Sequence, residues 1–143
     1  MIYRAKLLLL SVSEPVNTDQ TGTPFQLSDL EDPNAGQFRL YYHITQSNTA
    51  TSNSNSPNTT SLYIEHSIDG AIWLNLMEPK VLNADGTEHE ILETGVLLPY
   101  LRARLVAGGS AKPSHKGAVY LISNQAFRAW DSTDPNARPK VIG

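Results

Sequence analysis

The strongest constraint on this chain is an alternating apolar-polar pattern broken by Asp-Gly. Residues 62–67 read Leu-Tyr-Ile-Glu-His-Ser, a turn falls at Asp69-Gly70, and residues 72–77 read Ile-Trp-Leu-Asn-Leu-Met. A third alternating stretch, residues 98–106, follows a second Asp-Gly at Asp85-Gly86. Strand side chains alternate between faces, and Asp-Gly supplies the positive-φ residue of a tight hairpin. The pattern predicts an antiparallel sheet with one buried face and turns that carry no catalytic group.

The rest of the chain extends this reading. In residues 37–45, Phe38, Leu40, Tyr42 and Ile44 share one face, while Arg39, Tyr41, His43 and Thr45 share the other. Such a strand has a core side and a wet side. Residues 2–12 and 118–123 read as further strands, and residues 25–27 as a short one. Residues 87–92 place His89 and Ile91 on one side and Glu88 and Glu90 on the other. In residues 98–106, Leu101, Ala103 and Leu105 oppose Tyr100, Arg102 and Arg104, so Glu88 and Glu90 are the expected cross-strand partners of Arg102 and Arg104.

Between these strands, residues 14–24 and 108–117 read as irregular, and residues 46–61 as a long polar Ser/Asn/Thr loop. Residues 129–143 hold two prolines and little apolar mass, the composition of an arm that orders on a partner. Seven or eight strands without a useful helix predict an all-β protein: a single antiparallel β-sandwich, jelly-roll-like, with extended N- and C-terminal arms. The domain spans residues 1–128 and the C-terminal arm residues 129–143.

A chain of 143 residues suits one such core. Cysteine is absent, which removes disulfides, thiolate zinc sites and thiol nucleophiles. The apolar run near the N-terminus, residues 7–10, is short for a secretion signal, so the expectation is a soluble, unprocessed protein. Net charge is only −3, too weak to imply nucleic acid, but it is unevenly spread. Residues 7–38 carry Glu14, Asp19, Asp29, Glu31 and Asp32 with no Lys or Arg. Residues 94–130 carry Arg102, Arg104, Lys112, Lys116 and Arg128 with no acid. Blocks of this kind face each other within a subunit or join neighbours.

Catalytic patterns are sparse. The four histidines, His43, His66, His89 and His115, form no close metal-type pair, although His43 and His66 on neighbouring strands would sit near Glu65 or Glu90. The acidic loops 29–32 and 131–136 lack the glycine and terminal glutamate of a calcium loop. No Gly-x-Ser-x-Gly elbow or phosphate-cradling glycine loop occurs. The expectation is a protein that is not an enzyme and uses no cofactor or metal. Tyr41, Tyr63, Tyr100 and Trp73 are candidates for an aromatic platform. Trp130, beside Phe127 and Arg128, suits an anchor for the arm. Tyr3, Arg4, Phe127, Arg128, Trp130 and Arg138 are the candidate partner contacts.

The run Tyr63-Ile-Glu-His-Ser-Ile-Asp-Gly-Ala-Ile-Trp73, followed about 25 residues later by Leu98-Pro-Tyr-Leu-Arg-Ala-Arg-Leu105, resembles the Ser-x-Asp-Gly-x-x-Trp … Tyr-x-Arg-x-Arg segments of discoidin-like jelly rolls and of small tailed-phage virion proteins. The resemblance covers roughly a third of the chain and bears on fold more than on function. Discoidin-type modules present aromatic or basic spikes on their loops, whereas the loops here are rich in Ser, Asn and Gly. The phage-type resemblance therefore fits better. It implies a capsid decoration (cement) protein on the outer shell of a tailed-phage head, non-enzymatic and present in many copies. Its partners would be the major capsid protein and copies of itself, with no nucleic acid and no membrane. The protein would be made in the host cytoplasm and reside in the virion. The alternatives are a tail or neck component, or a carbohydrate-binding jelly-roll module acting through Tyr41 and Trp73.

Overall fold

The computed structural model describes residues 5–27, 38–47, 58–109 and 112–123. In chain order the strands are β1 (Ala5–Val16), β2 (Gln20–Thr21), β3 (Phe25–Gln26), β4 (Phe38–Ser47) and β5 (Thr59–Ser67). They continue as β6 (Leu74–Asn75), β7 (Lys80–Leu82), β8 (Gly86–Glu93), β9 (Tyr100–Gly108) and β10 (Ser114–Ser123). The first sheet has the order β1-β10-β4-β8. In the second, β9 and β5 pair at the centre, with β2 and β3 flanking β9 and β6 and β7 flanking β5. Every pairing is antiparallel. This is the expected all-β antiparallel sandwich.

Its core follows directly from the alternation. Leu40, Tyr42 and Ile44 from β4 pack with Val119 and Leu121 from β10 and meet Leu62, Ile64, Leu101, Ala103 and Leu105 of the facing sheet. Each such aliphatic side chain contributes about 1.5–3 kcal/mol when fully buried. β1 breaks the alternation at a register shift between Leu8 and Leu10. A bulge there lets the consecutive residues Leu9 and Leu10 both face the core, which explains the unbroken leucine run.

Four sequence expectations need correction. Residues 14–24 are not wholly irregular, because β1 continues to Val16 and β2 forms at Gln20–Thr21. Gly22 permits this switch between sheets: its N–H reaches the Ala103 carbonyl at 2.9 Å, and a Cβ there would lie 1.8 Å from the Leu9 carbonyl oxygen. β10 begins at Ser114, inside the stretch expected to be a loop, because His115 pairs with Gln46. The arm after Asp69-Gly70 shrinks to Leu74–Asn75, its first residues being consumed by the turn. Finally, β8 pairs with β4 and not with β9, so the chain changes sheet between them. Glu88 and Glu90 lie opposite Ile44 and Tyr42, in a different sheet from their expected arginine partners.

The connections define two ends. Ala5 pairs with Ser123, β4 starts at Phe38, and the loop from Glu93 to Tyr100 closes the same end as the turn after Ser67. The first and last described residues therefore lie side by side at one end of the sandwich.

Candidate functional site

On the outer face of the second sheet, Tyr63 and Glu65 of β5 stand opposite Arg104 and Arg102 of β9. Nε of Arg102 donates to Oε1 of Glu65 at 2.8 Å, and Nε of Arg104 donates to the same oxygen at 2.9 Å. The Arg102 guanidinium lies 4.2 Å from the Trp73 ring centroid, and that of Arg104 lies 4.4 Å from the Tyr63 ring. Planar guanidinium groups suit such stacking, which leaves their N–H groups directed at the carboxylate. Glu65 is only 5% exposed although it points away from the core. The partner of both arginines is thus Glu65, and alternation alone hid it because Glu65 has the parity of a surface residue.

The turn that delivers Trp73 is built from local polar groups. Ser67 Oγ accepts the Gly70 N–H at 2.9 Å and donates to Asp69 Oδ1 at 3.0 Å. Asp69 Oδ1 also accepts the N–H groups of Ala71 and Ile72, at 2.9 and 3.0 Å. These bonds, led by that from Ile72, hold the Asp69 carboxyl below its ordinary value. Gly70 has φ +76°, and its Cα faces the Tyr100 ring. Side-chain acceptors replace the backbone ladder here, so a short turn can aim Trp73 back across β9.

Next to this turn, the Leu98 N–H donates to Nδ1 of His66 at 3.2 Å. Burial keeps the His66 pKa below its ordinary value, and the accepted bond leaves its proton on Nε2. The end so assembled exposes Ile68 and Ile72 at 71% each and Val96 at 85%. These are the most exposed large apolar side chains among the described residues.

On the outer face of the first sheet, Tyr41 pairs with Tyr120, the ring centroids 6.0 Å apart. Tyr41 and Trp73 therefore lie on opposite outer faces and share no platform, although Tyr63, Tyr100 and Trp73 share one face. His43 and His66 belong to different sheets; the neighbour of His43 is His89. Among the described residues no group of three or more His, Asp or Glu gathers as metal ligands. Tyr3, Arg4, Phe127, Arg128, Trp130 and Arg138 lie outside the described residues, as do the arm and the acidic loops.

No protein-family model matches the chain, and no curated protein matches it in sequence. Among solved structures it is similar to part of dimeric latent PorU from Porphyromonas gingivalis, at 11% identity and a TM-score of 0.44. That match covers 94% of this chain and 15% of the PorU chain.

Proposed function

We propose that this protein is a non-enzymatic structural subunit of a virion, decorating the outer capsid shell of a tailed-phage head. One relationship supports the reading. Ala5 pairs with Ser123, so the first and last described residues lie side by side, at the end that exposes Ile68, Ile72 and Val96. Segments leaving a rigid body from one point can grip neighbouring subunits, and an apolar end supplies area to bury against them. Repetition over a shell then turns many weak contacts into firm attachment. The Ser-x-Asp-Gly-x-x-Trp resemblance to tailed-phage virion proteins adds to this support. In this reading the partners are the major capsid protein and copies of the chain itself.

The test is particle occupancy. The full chain and a truncation lacking residues 129–143 are supplied to virions of the phage that encodes it. The proposal expects the full chain in the particle fraction and the truncation folded but unbound. Absence of the full chain from particles, or equal occupancy by the truncation, contradicts the proposal.

A further inference from the structure

We propose that β8 is a detachable strap, which opens from β4 as a unit while the rest of the sandwich stays folded, and so bares the β4 edge. The inference is independent of the virion reading.

It starts from a contrast between the two end strands of one sheet. Among the described residues β1 and β8 close the β1-β10-β4-β8 sheet at its two ends. β1 sends Leu9, Leu10 and Val12 into the core, all three buried. Every residue of β8 except Leu92 is exposed, and Leu92 is only half-buried. Pairing sets the core side of β8: Glu88 lies opposite Ile44, Glu90 opposite Tyr42 and Leu92 opposite Leu40. Two of these three positions are carboxylates, so β8 adheres with little of the apolar burial that holds β1. A strand with so few buried apolar contacts belongs to the part of a fold that opens first.

Polar ties hold β8 instead. Lys80 of β7 meets Glu88 at 2.8 Å, a bond that spans the open side between the two sheets. Tyr42 donates to Glu90 at 2.9 Å, the hydroxyls of Thr45 and Thr87 lie 2.8 Å apart, and Arg39 meets Glu93 at 3.3 Å. The Lys80 and Arg39 pairs are well exposed, and ion pairs in water contribute little. Firm anchors bound the strap on both sides. Leu82 is buried before it, and after it the Leu98 N–H bonds to His66. Between them Asn83, Ala84, Asp85, Gly95 and Val96 are exposed, and only Leu92 and Leu97 reach the core. Opening therefore disturbs the core little. It frees the backbone donors and acceptors of β4 that an added strand would need.

The experiment is native-state amide exchange of the full chain, followed by NMR at urea concentrations well below global unfolding. The β8 amides that bond to β4 should exchange at least about a hundredfold faster than the β9 amides that bond to β5. The β4 amides that bond to β8 should exchange with β8, and those that bond to β10 should exchange with β9. Glu88→Gln, which breaks the pair with Lys80, should speed β8 exchange about twofold to fivefold and leave β9 unchanged. Because the chain has no cysteine, Thr45→Cys with Thr87→Cys provides a clean staple between the strands. Once the disulfide has closed, β8 exchange should fall to the β9 rate, and reduction should restore it. Exchange of β8 in step with β9 in the unaltered chain overturns the proposal. So do β4 amides that are equally slow on both edges, and fast β8 exchange that persists under the closed staple.

Discussion

Glu65 and Arg102 face each other across β5 and β9, and the Arg102 Nε lies 2.8 Å from a carboxylate that is nearly out of solvent. Arg104 shares the same oxygen, so one buried charge holds two half-buried ones. Removing one member of such a set leaves another uncompensated. Replacing both arginines with leucine strands Glu65 and should cost about 3–5 kcal/mol. Glu65→Gln keeps an acceptor and should cost less, about 1–3 kcal/mol. Urea denaturation of the variants measures both. Arg102→Lys should recover little, because a lysine cannot lie flat on Trp73 and aim Nε at Glu65.

Acid should loosen the end of the sandwich in two steps. His66 has a lowered folded pKa, so its contribution is present above its ordinary value of 6.5 and is lost as pH falls below it. Protonation removes the acceptor for the Leu98 N–H. Asp69 is also lowered, so its contribution persists above its ordinary value of 3.8 and is lost below that. Amide exchange should first rise at Leu98 and only later at Ala71 and Ile72. His66→Gln, which still offers an acceptor, should abolish the first step and leave the second.

Alkali acts through Tyr42. Its hydroxyl donates to Glu90 Oε2 at 2.9 Å, and burial followed by that bond pushes its pKa well above the ordinary 10.0. A raised pKa gives stability that is full below 10.0 and declines as pH rises beyond it. Tyr42→Phe should cost about 0.5–1.5 kcal/mol at neutral pH, since the exposed Glu90 rehydrates. The same variant should flatten the alkaline decline. Thermal melts between neutral pH and strong alkali test the sign.

Gln46 is 1% exposed, and among the described residues neither its Nε2 nor its Oε1 has a hydrogen-bond partner. Burying an amide in this way costs free energy that an aliphatic residue would avoid. Gln46→Leu should therefore stabilise the fold, by about 1–3 kcal/mol. Calorimetry of the variant decides, with a lower melting temperature counting against this reading.

Local chemistry was legible and non-local pairing was not. The alternation of Phe38, Leu40, Tyr42 and Ile44 marks a core-facing strand without reference to anything distant. The Ser67–Asp69–Gly70 turn was equally readable, since its bonds lie within a few residues. The sheet to which β8 belongs was not, because Tyr41 with Ile91 and Tyr42 with Glu90 are partners about fifty residues apart in sequence. Assuming that sequence neighbours pair sent Glu88 and Glu90 to the wrong arginines. Glu65 was missed for a related reason. Its partners Arg102 and Arg104 come from β9, about forty residues away in sequence, and only the tertiary fold assembles them.

The most direct test of the proposed virion role is the occupancy of one triple variant, Ile68→Lys, Ile72→Lys and Val96→Lys, on the tailed-phage virions to which the proposal assigns the chain. These side chains are exposed in the isolated body, so its circular dichroism and melting should hardly change. Quantitative mass spectrometry of purified particles should find the unaltered chain in many copies and the variant largely lost. A variant that occupies particles as fully as the unaltered chain would contradict the account.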